Sequence, residues 1–326
     1  MKSWRRNIEL RTISGMLAHL SKMYQATFLP LAQTGANHLI NNDKCFIDEV
    51  ENGMGRCLVL TAPWSDSFKS IIDKENISVL RLSQSAGWSG NDISFISDLT
   101  CLSGVEIYSW GIKDITPLES ISNLEYLGLQ CDFTKAPDFS MLKKLKVFKA
   151  QWRSKAKTIF SCDKLNLLNI VNYPSENLTE LNRMSLLRRL QLTSKKIKSL
   201  SGIEELSSLS ILDLADCPKL EDLSGIDKCQ QIEIVEIENC KRVYDIAILS
   251  ELKNLKEIVL IDCGTVKSLR PLAHSQSLES ITFIGDTTIE DGDLTSLLDI
   301  PTLKKMWFAN KRHYTHTREQ VMEVLS

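Results

Sequence analysis

One spacing constrains this chain more than any other feature. From Ile77 to Phe308 the phrase L-x-x-L-x-L, with other apolar residues admitted at the three apolar places, returns eleven times at intervals of 20 to 25 residues. Its first positions are Ile77, Leu102, Leu124, Leu145, Leu165, Leu187, Leu209, Ile232, Leu255, Leu278 and Leu303. A unit this short cannot bury an apolar face by itself, so each copy must stack on the next.

Period and motif together specify a leucine-rich-repeat solenoid, an α/β architecture with one short strand per coil. In Leu209-Ser-Ile-Leu212-Asp-Leu214 the apolar residues point one way, and the alternating second half reads as the strand. Farther along, Leu220, Leu223 and Ile226 fall three apart, as do Ile112, Ile115, Leu118 and Ile121, which suits a return path of tight turns or short 3₁₀ segments. Parallel strands ~4.8 Å apart on one side and bulkier return segments on the other predict a curved horseshoe with the strands on its concave face.

The ends carry different patterns. Ile13, Met16, Leu17, Leu20 and Tyr24 have helical spacing that stops at Pro30, which predicts an amphipathic capping helix within an N-terminal cap and connecting segment, residues 1–54. Residues 31–54 receive no assignment. Gly55-x-x-Leu58-x-Leu60 stands 22 residues before the Ile77 copy and reads as a degenerate first coil, so the solenoid is placed at 55–311. Thr317-x-x-Gln320 has the form of a capping box, followed by Val321, Val324 and Leu325, which predicts a C-terminal capping helix in 312–326.

Nine cysteines raise the question of disulfides or zinc. Cys217, Cys240 and Cys263 recur every 23 residues, each three places after the last strand apolar residue, where this repeat class sets a small inward side chain. They are expected to be buried, reduced and stacked in a column. With no C-x-x-C pair, zinc has little support. Unpaired thiols in this number point to a reducing, cytoplasmic setting, the alternative being delivery into another cell without a cleavable signal peptide. The sequons Asn76-Ile-Ser78 and Asn177-Leu-Thr179 then read as chance matches.

Ile112-Lys-Asp114-Ile115-Thr-Pro117-Leu118-Glu-Ser-Ile121-Ser-Asn123-Leu124 closely resembles the I-x-D-I-x-P-L-x-x-L-x-N-L phrase of bacterial internalin-type repeats, with weaker copies at 197–209, 220–232, 243–255 and 266–278. The resemblance covers roughly residues 77–308 and implies a curved, non-catalytic protein-binding scaffold. The chain departs from that family in placing Trp110, Asp132, Arg153, Tyr173, Lys195 and then cysteines where the asparagine ladder belongs.

Searching for chemistry returns little. The chain has no G-x-S-x-G, no G-x-x-x-x-G-K-[ST], no H-E-x-x-H and no dinucleotide fingerprint. His313 and His316 are three apart without a third ligand nearby. No enzyme activity, cofactor or metal is expected, and no 18-residue apolar run offers a membrane span.

The outward strand places hold the candidate binding residues. They are Tyr108 and Tyr126 early; Lys149, Gln151, Trp152, Arg189 and Gln191 next; then Asp213, Glu236 and Glu238; and finally Val259, Ile261, Ile284 and Trp307. Charge changes sign along this path: residues 141–200 hold 14 Lys/Arg against 3 Asp/Glu, and residues 201–262 hold 6 against 14, although the whole chain is only −2. A two-signed face suits selective steering of one protein partner, and Trp and Tyr are frequent interface anchors. The chain is therefore read as a monomeric protein-interaction module, with immunity partner, adaptor and delivered effector as the roles it suits. Nucleic-acid or other polyanion binding through the basic segment 143–157 is the runner-up, weakened because Phe148 sits at a core place and leaves Trp152 as the one exposed ring.

Overall fold

The computed structural model describes residues 44–50 and 55–326, which form two compact units, one ending at Pro137 and the other running from Asp138 to Ser326. The helix expected at 13–24 lies outside the described residues.

In the first unit, β1 (Cys45–Glu49) pairs antiparallel with β2 (Arg56–Leu60). Parallel pairing then runs through β3 (Val79–Ser83), β4 (Gly104–Tyr108) and β5 (Tyr126–Leu129). The degenerate coil at 55 is thus a true strand of the stack. The antiparallel β1, in a segment that the repeat pattern does not reach, closes what would be an open edge of unpaired backbone groups. Between β2 and β3 lies helix α1 (Ser67–Lys74), whose Phe68 and Ile72, four apart, are its buried residues.

The second unit continues the same construction. Its parallel sheet comprises β6 (Val147–Gln151), β7 (Leu167–Val171), β8 (Arg189–Thr193), β9 (Ile211–Ala215), β10 (Ile234–Glu238), β11 (Glu257–Ile261), β13 (Ser280–Ile284) and β15 (Lys305–Phe308). A minor pair, β12 (Thr265–Val266) with β14 (Thr288–Ile289), lies on the return side. Alternation decides burial: in β9 the inward Leu212 and Leu214 are closed off while Ile211, Asp213 and Ala215 keep some exposure.

Return segments are short 3₁₀ turns, and the sequence shows why they start where they do. Asp114, Asp138, Asp222 and Asp293 each accept the backbone N–H two residues on, at 2.8–3.0 Å. A carboxylate in this place substitutes for the missing backbone acceptor at the turn entry. Helix α2 (Arg318–Leu325) ends the second unit with the expected capping box between Thr317 and Gln320. Beneath it, Tyr314 meets Phe283 and Phe308 edge-on at centroid distances of 6.0 and 5.8 Å.

The inward column at the strand exits corrects the sequence reading. Trp110 is 42% exposed, Lys195 is exposed, and Asp132 and Arg153 are half-buried; the buried residues of those turns are Ser109, Cys131 and Ser194, one place earlier in their coils. The difference is a single backbone state. Asn172, Asp216, Asn239 and Asp262 have φ of +49 to +63°, an inserted left-handed residue that moves the inward place to Tyr173, Cys217, Cys240 and Cys263. The coils of Ser109, Cys131 and Ser194 lack that residue and turn inward after two places instead of three, whereas in the coil of Arg153 the next buried residue is Ala156. Asn and Asp tolerate this conformation better than other side chains with a Cβ, which is why they stand there.

The column is hydrogen-bonded without asparagine. Ser194 Oγ accepts from the Lys196 and Ile197 N–H groups and donates to the Tyr173 carbonyl at 2.8 Å. Cys263 Sγ donates to the Ile237 and Ile261 carbonyls at 3.2 and 3.3 Å, and Cys240 Sγ to the Glu238 carbonyl at 3.2 Å. Burial pushes the Cys263 thiol up to about 12, so it stays protonated and donating. All nine cysteines are free.

Candidate functional site

Strand register sets the outward face of the second unit. Through successive pairings, Lys149, Asn169, Gln191, Asp213, Glu236, Val259, Thr282 and Trp307 form one central row across neighbouring strands. Six of these are residues expected from sequence. Asn169 and Thr282 complete the row; they are small polar residues at an outward place and gave no signal of their own.

The row is stitched by its own side chains. Asn169 Nδ2 donates to Gln191 Oε1 at 3.1 Å, and Gln191 Nε2 donates to Asp213 Oδ2 at 2.7 Å. Arg189 adds two bonds to the same Oδ2, from Nε at 3.1 Å and Nη2 at 2.8 Å. Asp213 Oδ2 is therefore saturated, while its Oδ1 is enclosed and has no partner among the described residues. Facing it one strand over is Glu236. Burial first, and the Asp213 charge second, push the Glu236 carboxyl up to about 8, because two carboxylates in contact cannot both ionise cheaply.

Beyond Glu236 the row turns apolar. Val259 and Ile261 face outward but are only 8% exposed, closed in by neighbours on both sides. Ile284 keeps more exposure. Trp307 is half-buried, and the Arg318 guanidinium of α2 lies 4.5 Å from its ring centroid. The aromatic is thus held in one orientation with one face covered. Gln151 and Glu238 lie at the outward ends of β6 and β10, and burial raises the Glu238 carboxyl.

Much of the charge that changes sign along the sequence is consumed elsewhere. Lys198–Glu176, Lys256–Glu233 and Lys267–Asp245 are ion pairs between consecutive coils, at 2.9 to 3.3 Å, and Lys241–Asp286 reaches across two coils at 2.8 Å. Exposed pairs of this kind contribute little individually.

The two tyrosines of the first unit serve a different purpose from the exposed anchors expected of them. Tyr126 is buried, and both phenols turn onto Glu106: Tyr108 donates to its Oε1 at 2.9 Å, and Tyr126 donates to the same atom. Glu106 is itself only 3% exposed and pairs with Arg81, which also reaches Asp48 at 2.8 Å. Burial above all pushes both phenols well above their ordinary range, fixing them as donors. Gly128, opposite Glu106 in register, leaves the space: a Cβ there would lie 2.8 Å from the Tyr108 hydroxyl.

In the basic segment, Phe148 is buried and Trp152 stacks on Phe160 at 5.2 Å with 14° between planes. One face of the one candidate stacking ring is therefore taken by the protein itself. His313 Nε2 contacts the Ile289 carbonyl at 2.8 Å, and among the described residues no group of three or more potential metal ligands converges. None of the described helices is long and apolar enough to cross a membrane.

No protein-family model matches the chain, and neither does any curated protein sequence. Solved structures do. An internalin, inlF from Listeria monocytogenes, superposes with a TM-score of 0.57 at 19% identity, over 72% of this chain and 68% of its own. Toll of Drosophila, in its complex with Spatzle, gives 0.53 at 13% identity over 82% of this chain, which spans 46% of that one. With parallel single-strand coils, 3₁₀ returns and these neighbours together, the fold is that of a leucine-rich-repeat solenoid.

Proposed function

We propose that this chain is a non-catalytic protein-interaction module that holds a partner protein on the outward strand face of its second unit. The observation that carries the reading is the central row itself. It presents ordered amide, carboxylate, apolar and aromatic groups in sequence, each fixed by a neighbour before any partner arrives. Groups already ordered lose little rotamer freedom on association, so contacts made by them are worth more. The Drosophila neighbour, solved as a complex with a second protein, accords with this use of the fold. Catalysis is disfavoured because the row offers no nucleophile beside a base.

The test is affinity capture of a partner by the full chain, compared across variants. Trp307→Ala and Glu236→Lys should each weaken capture at least tenfold, whereas Lys198→Glu, on an exposed coil-edge pair, should not. Arg189→Glu belongs in the set with a stability control, because it would bring a third carboxylate onto Asp213. Equal capture by all outward variants, with loss in the Lys198 control, would end the reading.

A further inference from the structure

The carboxylates of the second unit divide into two groups. Those at coil edges, such as Glu176, Glu233 and Asp245, have a lysine on the adjoining coil. On the outward face the position differs. Asp213 is met by Arg189, but Glu236, Glu238 and Glu257 have no ion-pair partner among the described residues. The face therefore carries an excess of acidic groups directly beside Val259, Ile261 and Ile284.

Resting on the protein-binding reading, we propose that this face receives a basic side chain of the partner, a lysine ammonium or arginine guanidinium, on the Asp213–Glu236 pair, with a neighbouring aliphatic side chain laid over Val259 and Ile284. Charge complementarity picks the occupant. The enclosed Asp213 Oδ1 needs a donor, and an incoming N–H supplies one together with the countercharge that Glu236 lacks. When the cation seats, its N–H donates to that oxygen, Glu236 ionises, and the Glu236 proton leaves to solvent. The charged groups bearing on Glu236 are Asp213 on β9, Arg189 on β8 and Glu257 on β11, with Glu238 beyond it on its own strand. Three of the four are acidic, so a partner cation enters a field that favours it. An acidic or uncharged partner segment would leave that field unanswered.

Capture should then depend on pH in one direction, stronger as pH rises. The probe is a displayed library of random peptides selected on the full chain at about pH 9, followed by affinity measurements on the recovered peptides. The inference expects recovered sequences to share Lys or Arg next to Leu, Ile or Val. It also expects binding to weaken on the order of 100-fold from about pH 9 to about pH 6, through the cost of deprotonating one group near pH 8. In Glu236→Gln, which keeps the shape and removes the titration, that slope should vanish; Asp213→Asn is the second variant and should flatten it as well. Peptides without a basic residue, no recovered peptide, or a pH slope that persists in both variants overturn the inference. Peptides lacking a basic residue yet lost on Trp307→Ala overturn it while leaving the protein-binding face intact. Peptides indifferent to every outward substitution count against both.

Discussion

Glu106→Gln probes the first unit at its most consequential point. The native carboxylate is almost fully enclosed and receives Arg81, Tyr108 and Tyr126. Removing one partner of a buried ion pair costs ~3–5 kcal/mol, because the other charge stays behind in a poorly solvated place. Two features reduce the figure here. Arg81 keeps Asp48 at 2.8 Å, and the glutamine oxygen still accepts from a phenol. The expected loss is therefore about 2–3 kcal/mol. Tyr126→Phe deletes one buried hydrogen bond to a charged acceptor and should cost ~1.5–2 kcal/mol, whereas Tyr108, being half-buried, can be replaced by water and should cost about 1 kcal/mol or less. Urea denaturation of the full chain, followed with a probe in the first unit, measures all three. A loss below ~0.5 kcal/mol for Glu106→Gln, or Tyr108→Phe costing more than Tyr126→Phe, would show that the network does not bear on stability as argued.

Leu212 is fully buried between Leu190 and Val235, so Leu212→Ala should cost ~2–5 kcal/mol in denaturant melts, and a value below ~0.5 kcal/mol would mean the register is wrong. Cys101 is the one exposed thiol, and it should react with a thiol reagent in the native protein long before Cys217, Cys240 and Cys263, which should wait for unfolding; equal rates would contradict the buried column. Glu236 titrates higher in the folded chain than in the unfolded one, so the stability it contributes is present below the usual glutamate range and is lost as pH rises through about 8. Glu236→Gln should accordingly gain stability over wild type on going from about pH 5 to about pH 9, and a gain of equal size at both ends would refute the assignment.

The repeats were legible because eleven copies of one spacing leave little freedom, and the register they give places Leu212, Gln191 and Glu236 where the structure has them. Strand β1 was not legible, since Cys45–Glu49 lies outside the repeat and pairs antiparallel by a contact that no local pattern encodes. Helix α1 was missed for a related reason: it is one insertion between coils, and its signal is the single pair Phe68 and Ile72. At the strand exits, a fixed count of three places could not foresee that coils ending at Ser109, Cys131 and Ser194 lack the left-handed residue found at Asp216, Asn239 and Asp262. The tyrosines failed most instructively. An outward place says where a Cβ starts, and a side chain as long as Tyr126 can still lie down on a neighbouring carboxylate and be buried there.

On the reading proposed above, the outward strand face of the second unit holds a protein. Photo-crosslinking side chains installed singly at Gln151 and Ile284 on that face, and at Lys198 and Lys253 on the exposed coil edges, test it most directly in native extract. A partner held on that face should give a discrete adduct from Gln151 or Ile284, abolished by Trp307→Ala, and none from the two lysine positions. An adduct formed at Lys198 or Lys253 and absent from both outward positions would contradict it.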